Sequence, residues 1–334
     1  MHDAARLLYS QALNRLEESA PLDIAIVQAE PAGELARIRG HATTLLLTQR
    51  FRPEWRQLSA QKFSPSPALS GMFDLILLLP GKQRERSLAD MADAMLHLNE
   101  GGALLVCCPN EMGARSYEKH LAQLAGNIES MSKHHCRCFS AVKDGEFNTA
   151  LAGEWIEAGA ARVVPELGLT SQPGIFSWNH LDDGSALLLD NLPTLAGNGM
   201  DLCCGNGVLA QRLLAANDKV GTLHLVDADA LAIAAAQANL GSRGQYHWLD
   251  ATSEPLPGNL DWIVLNPPFH AGLHADIELG RSIVTAACAA LNKGGELHMV
   301  ANRKLPYEAE LTAGLSRWQV VIEARGYKVV RGVR

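Results

Sequence analysis

Asparagine, two prolines and a phenylalanine stand at positions 266–269, directly after the apolar run LDWIVL (260–265). Each proline fixes its own φ and pushes the residue before it out of the helical region. The Asn266 side chain and the Pro267 carbonyl are thereby held as a preformed pair of acceptors. Two acceptors beside a ring suit a planar amine on a flat conjugated system, with one N–H to each acceptor and Phe269 stacked on the base. Holding both protons favours a pyramidal nitrogen whose lone pair can take a methyl group. Catalysis is then mostly positioning, and no strong general base is needed. A chain that only had to turn would use Gly, Asp or a single Pro. His270 follows Phe269, but the chemistry does not call on it, and it reads as a rim or packing residue.

A second group of residues lies upstream. In DLCCGNG, Asp201, Cys203, Gly205 and Gly207 end one apolar run and open a helical pattern. Glycines there let a backbone approach a ligand, and the following helix offers unpaired N–H groups. Asp227, twenty residues beyond Gly207 and at the end of the next strand pattern, is placed to accept both hydroxyls of a ribose. This element by itself points to an adenosine-containing cofactor and leaves NAD and S-adenosylmethionine both open. Asp250, after YHWL, either receives the exocyclic amine of adenine or simply caps a turn. The Asn-Pro-Pro-Phe stretch separates the two cofactors, because hydride transfer has no use for a pair of amine acceptors. S-adenosylmethionine is the expected cofactor.

The elements that must position these groups alternate. Apolar runs GMDLCC, TLHLVD, YHWLD, LDWIVLN and ELHMVAN are separated by the helical patterns VLAQRLLAA, ALAIAAAQANL and IELGRSIVTAACAALN. That alternation predicts an α/β fold with a parallel doubly wound sheet, in which ligands sit beyond the carboxyl ends of the strands. The segment WQVVIEARGYKVVRGV instead reads as an antiparallel hairpin around Arg325-Gly326, closing the sheet edge.

The first half repeats the second. FDLILLLPG (73–81) lies over LDWIVLNPP (260–268), and LNEGGALLV (98–106) over LNKGGELHM (291–299). Where the second copy has Asn266, Pro268 and Phe269, the first has Leu79, Gly81 and Lys82. Where the second reads DLCCGNGVLA from Asp201, the first reads DIAIVQAEPA from Asp23, without a glycine loop. Two tandem Rossmann-like domains are expected, the N-terminal one degenerate. The divisions are 1–145 for the degenerate domain, 146–175 for a linker with short strands (ARVVP, LGLTS), and 176–334 for the catalytic domain.

The net charge of −7 argues against a general nucleic-acid binder, yet the charge is unevenly spread. Arg37, Arg39, Arg50, Arg52, Arg56 and Lys62 face Glu54 alone between 37 and 62. Local basic patches of this kind are compatible with phosphate contacts. Seven cysteines without an export signal argue for reduced thiols. The cluster His134-His135-Cys136-Arg137-Cys138 lacks zinc-ligand spacing and reads as a strand with packed thiols, so no metal is expected. No run reaches the length of a membrane span, and a cytoplasmic protein without a membrane partner is expected.

DLCCGNG, Asp227, Asp250 and NPPF in this order resemble the class I S-adenosylmethionine-dependent methyltransferases that modify exocyclic or amide nitrogens. The segment PGIFSWNHLDDGSALLLDNLP (173–193), NPPFHAG and the degenerate first copy are together similar to bacterial rRNA guanine-N2 methyltransferases, the small-subunit enzymes first and their large-subunit paralogues next. The resemblance implies that Asp201, Cys203, Gly205 and Gly207 line the methionine end of the cofactor. It also implies that Asp227 holds the ribose, that Asp250 holds the adenine, and that Phe176 and Asp182 fold over the cofactor. Asn266, Pro267 and Phe269 then hold the target guanine. Cys203 departs from the family, where glycine is commoner. The implied partner is 16S rRNA in the small ribosomal subunit, with no DNA. Two fused copies can satisfy one another's interface, so a monomer is expected. Arg37, Arg50, Arg52, Arg56 and Lys62 of the first copy would face rRNA phosphates. A protein glutamine methyltransferase uses the same acceptor logic, although with Tyr after the prolines. A non-catalytic RNA-binding protein is the reading from outside enzymology.

Overall fold

A computed structural model describes residues 2–17, 19–268 and 274–334 of the chain. Phe269 and His270 lie outside the described residues. The chain divides into two compact units, Met1–Ala160 and Ala161–Arg334.

Unit 1 runs α1 (His2–Leu16), β1 (Leu22–Val27), α2 (Glu34–Gly40), β2 (Ala42–Leu47), α3 (Arg52–Ala60), β3 (Phe73–Leu78), α4 (Arg84–Leu96), β4 (Leu98–Pro109), α5 (Ala114–Ala125), β5 (Glu129–Lys133), β6 (Cys136–Val142) and α6 (Thr149–Gly159). Unit 2 opens with a hairpin, β7 (Arg162–Val164) and β8 (Leu169–Ser171), then α7 (Asp183–Asp190). It continues through β9 (Gly197–Leu202), α8 (Val208–Ala216), β10 (Val220–Asp227), α9 (Ala230–Leu240), β11 (Gln245–Trp248), β12 (Leu260–Leu265), α10 (His274–Ala290), β13 (Leu291–Asn302), α11 (Glu308–Gly314), β14 (Arg317–Ala324) and β15 (Tyr327–Val333).

The segment 146–175, read from sequence as a linker with short strands, is divided instead. Asn148 caps α6 by accepting the Leu151 N–H at 3.0 Å. That helix packs so closely on α4 that a Cβ on Gly159 would stand 2.4 Å from the Ala89 methyl. An apolar helix face buried this way belongs to the unit it covers, so only the hairpin β7–β8 goes with unit 2.

The two sheets share one plan. Unit 1 orders its strands β2-β1-β3-β4-β6-β5, and unit 2 β11-β10-β9-β12-β13-β15-β14. The inner strands are parallel, and β15 lies antiparallel to both β13 and β14, as the Arg325-Gly326 hairpin predicts. Strands covered on both faces must be apolar along their whole length, which explains the near-continuous burial of FDLILL and LDWIVL. Even the irregularities repeat. Both β3–β4 and β12–β13 slip register at the Gly-Gly of LN-x-GG. Asp74 accepts the Asp23 N–H and the Asn99 amide, as Asp261 accepts the Asn198 N–H and the Asn292 amide.

The register also corrects the sequence overlay at the first strand. Ala25 pairs with Ile76 and Met200 with Ile263, so the counterpart of Asp201 is Ile26, three residues on from Asp23. Gln28 then answers to Cys203, and both carry a left-handed φ, 56° and 62°. Glu30 answers to Gly205, and Gln49 to Asp227. The sequence match of the outer Asp residues hides this offset, because burial tolerates Ile26 where the second copy needs an acid. Tyr9, buried on α1, donates to the Glu30 carbonyl and accepts the Glu30 N–H, both at 3.0 Å. Side chains thus fill the first copy where the second keeps a bare glycine.

Candidate active site

The carboxyl ends of β10, β9 and β12 lie side by side in the second sheet, and the chemistry-bearing residues gather there. Asp201 is fully buried at the end of β9. Its Oδ2 accepts the Ala210 N–H from the first turn of α8 at 3.1 Å, while Oδ1 has no partner among the described residues. Burial, with the Asp227 charge added, pushes its carboxyl up to about 7. A buried acceptor lacking a donor is costly, and an ammonium group would satisfy it.

The loop that follows is shaped to leave room. Cys203 and Gly205 both adopt positive φ, 62° and 54°. Among the described residues nothing stands within 4 Å of a Cβ built on Gly205, so they leave that face of the loop open. Gly207, at φ 81°, is needed for a different reason: a Cβ there would come within 2.7 Å of Leu240 on α9. Burial pushes the Cys203 and Cys204 thiols well up, so neither is a thiolate. Asp227 braces the loop, since Oδ2 accepts the Gly205 N–H and Oδ1 the Asp229 N–H, each at 2.9 Å. Burial raises its pKa, and those two donors act against the rise. Asn239 bonds the Asn206 carbonyl and both backbone groups of Thr170, tying the glycine loop to β8.

Asn266 is fixed through its amide nitrogen. Its Nδ2 donates to Asp182 Oδ2 at 3.1 Å and to Ser185 Oγ at 2.9 Å. A carboxylate can only accept, so the amide nitrogen must face Asp182 and the oxygen must face away. That oxygen, Oδ1, is buried and has no hydrogen-bond partner among the described residues. Asp182 is itself fixed as the N-cap of α7, accepting the Ser185 N–H at 3.0 Å. Pro267 is buried beside it and Pro268 exposed.

The remaining site residues are placed as follows. Asp250 is buried, and its carboxylate accepts from the Thr252 N–H and Oγ1 at 2.9 and 2.6 Å and from the Ser253 hydroxyl. It therefore caps the turn after β11. Phe176 is 60% exposed, next to Ile175, which packs on α9. Asp182 stands against Asn266 as well as in the segment expected to fold over a cofactor. Ser185 was not singled out from sequence. The signal for it is the run Asp182-Asp183-Gly184-Ser185 before LLL, where an acid at N-cap faces a hydroxyl residue at N3.

The basic set of unit 1 is less uniform than its sequence suggests. Arg50 is mostly buried and pairs with Asp90 at 3.4 Å, a carboxylate that Arg86 also holds at 2.7 Å. Arg52 and Arg56 are half-buried and engaged within the fold. Arg37 and Lys62 are exposed, Arg37 standing 3.6 Å from Glu17.

A seven-stranded sheet of this order with β15 reversed, an open glycine loop, an orphaned buried acid and a clamped Asn-Pro-Pro define a class I S-adenosylmethionine-dependent methyltransferase. Residues 166–331 match the family described as the methyltransferase small domain. The chain belongs to the ribosomal RNA small subunit methyltransferase C family. It is 32% identical to the protein of that name from Shewanella loihica over 261 residues, 77% of this chain and 76% of the relative. It is 31% identical to the one from Salmonella newport over 311 residues, 90% and 87% of the two chains. The fold matches a solved structure of the T. thermophilus 16S rRNA N2 G1207 methyltransferase (RsmC) in complex with AdoMet and guanosine. The TM-score is 0.82 at 23% identity, covering 99% of this chain and 92% of that one.

Proposed function

We propose that the protein transfers a methyl group from S-adenosylmethionine to the exocyclic N2 of a guanosine in 16S rRNA. The observation that carries this reading is the buried, unpartnered Oδ1 of Asn266, aimed by the Asp182 and Ser185 contacts on the other end of the same amide. When bound, S-adenosylmethionine supplies an electrophilic methyl group on a sulfonium. Asp201 receives its ammonium, Asp227 its ribose, and Asp250 and Phe176 its adenine end. Asn266 Oδ1 and the Pro267 carbonyl each accept one N–H of the target amine, and Phe269 stacks on the base. Because Asn266 is held before substrate arrives, little reorganisation remains for the reaction itself. The proton leaves after transfer, so no residue is asked to act as a strong base.

Support for 16S rRNA as substrate comes from the family, whose members carry the small-subunit name. The T. thermophilus relative is described as acting on G1207, and the same position is our assignment here. In the same reading the enzyme is a cytoplasmic monomer with no DNA or membrane partner, and unit 1, its glycine loop replaced, supports the fold and binds RNA. Among the described residues, no helix is long and apolar enough to cross a membrane.

The test is tritiated S-adenosylmethionine with small subunits, large subunits and a peptide release factor, followed by nuclease digestion and mass spectrometry. N2-methylguanosine at position 1207 of the small subunit is expected. Label confined to large subunits or to the release factor would move the assignment to the paralogous or the glutamine-modifying activity. No label in any substrate would leave an RNA-binding protein.

A further inference from the structure

Unit 2 carries a second feature at the same edge of the sheet. Strand β13 runs parallel to β12 and outlasts it: Leu265 pairs with Met299, so Asn302 lies three residues further on, about 10 Å beyond the level at which β12 ends. Past Asn302 come Arg303 and Lys304, both exposed. The hairpin of β14 and β15 reaches the same height, because Asn302 pairs with Tyr327, and its tip is Arg325-Gly326. The Arg303 N–H donates to the Gly326 carbonyl at 2.9 Å, which locks the loop to the tip. The Lys304 N–H donates to Asn302 Oδ1 at 3.0 Å, and the buried Lys328 ammonium donates to the Leu305 carbonyl at 2.9 Å. Three cations are therefore displayed together on a rigid platform.

Their side chains are uncommitted: among the described residues, Arg303, Lys304 and Arg325 make no ion pair. Glu308, the acid nearest in the loop, is bound by Lys328. The backbone of Arg325 adds an independent observation. Its φ is 52° and that of Gly326 is 83°, a left-handed pair at a two-residue hairpin tip. Such tips favour Asn or Asp before the Gly, and a left-handed L-residue costs about 1–2 kcal/mol. An arginine is held there against that backbone preference. The platform also touches the catalytic clamp. A Cβ on Gly184 of α7, between Asp182 and Ser185, would come within 2.9 Å of the Tyr327 ring.

We propose that Arg303, Lys304 and Arg325 form a phosphate-binding rim that holds the RNA backbone beside the target guanosine. The rim rests on the RNA reading of the proposed function and deepens it. It adds an RNA contact on the unit that does the chemistry to the basic run of unit 1, where Arg50, Arg52 and Arg56 are engaged within the fold. At roughly 10–15 Å from Asn266 the rim lies within reach of phosphates only a few nucleotides from the methylated base on the same strand. The partner is therefore an RNA strand continuous with the methylated nucleotide.

The experiment compares wild type with Arg325→Asn, with the triple variant Arg303→Gln/Lys304→Gln/Arg325→Asn, and with Arg317→Gln. Arg317 is exposed on the same hairpin but pairs with Val333 at its far end, so it controls for net charge. Binding of a fluorescent single-stranded uridine oligonucleotide is measured against salt, and methyl transfer to small subunits against subunit concentration. The triple variant is expected to lower the slope of log K against log salt by about 2, at about 0.7 for each lost contact. Its KM for subunits should rise on the order of tenfold, with S-adenosylmethionine affinity unchanged. Arg325→Asn should weaken RNA binding while keeping or raising Tm, because Asn suits the left-handed tip. An unchanged salt slope and KM in the triple variant overturns the rim, as does an equal loss in Arg317→Gln. If wild type does not label small subunits, the proposed function fails, and oligonucleotide binding still decides the rim.

Discussion

Exchanging the two sides of the Asn266 clamp probes its logic most directly. Asn266→Asp places a second carboxyl oxygen about 3.1 Å from Asp182 Oδ2. At an effective dielectric constant of about 20, two charges at that distance repel by about 5 kcal/mol, enough to keep one carboxyl protonated near neutrality. While the proton is shared, the substituted carboxyl can donate to Asp182 and still offer an oxygen to the substrate. Once both ionise, the clamp opens. Losing a hydrogen bond to a charged group costs about 1.5–3 kcal/mol, so kcat should fall roughly 10- to 150-fold as pH rises. Adding Asp182→Asn restores one donor facing one acceptor in reverse order, and Asn caps a helix as well as Asp does. The double variant should recover most of kcat and lose the pH dependence. Single-turnover methyl transfer to small subunits from about pH 6 to 9, with melting curves as a folding control, measures this. A pH-independent Asn266→Asp variant, with losses that merely add in the double variant, would refute the clamp.

Other predictions concern the same site. Ser185→Ala removes one neutral hydrogen bond to Asn266 and should lower kcat roughly two- to twelvefold at unchanged S-adenosylmethionine affinity, whereas Ser185→Thr should retain activity. For Asp201, raised from 3.8 to about 7 by burial, a bound ammonium favours the ionised form, so binding releases a proton below pH 7. Cofactor affinity should fall as pH drops below about 7 and level off above it, a dependence that calorimetry should no longer find in Asp201→Asn. By the same sign, the raised pKa makes the unliganded protein gain stability from this group as pH falls from about 7 toward about 4, and Asp201→Asn removes that gain. Gly205→Glu copies the first unit's Glu30 and should abolish cofactor binding for a cost of about 1–2 kcal/mol in stability, as seen by calorimetry and Tm. Gly207→Ala meets Leu240 at 2.7 Å and should lower Tm, because both packing and φ oppose it.

Much of the architecture was legible in one dimension. Strands buried on both faces must be apolar throughout, and helices covering them must repeat their apolar residues, so the alternation of LDWIVL-like runs with helical patterns could be read directly. The same holds for the glycine loop, the acid at the end of β10 and the proline pair, whose demands are written in residue type. The register of the first copy was not legible. Asp23 and Asp201 align by letter, but only strand pairing shows that Ile26 stands where Asp201 does, because hydrogen bonds between distant segments set the register. Helix α6 was missed for a related reason: its place depends on packing against α4, a distant stretch of the chain.

The amino-acid sequence by itself determined which residues can carry the chemistry: an amide and a carbonyl braced by prolines, carboxylates at strand ends, and glycines where a ligand must come close. Tertiary structure decided which of those groups remain available. Arg50, an apparent phosphate ligand, is spent on Asp90. Asn266 is turned by Asp182 and Ser185, more than 80 residues earlier, so that one oxygen is left over. A side chain's type sets what it can bond to, but whether those bonds are already made depends on neighbours that only folding brings within about 3 Å.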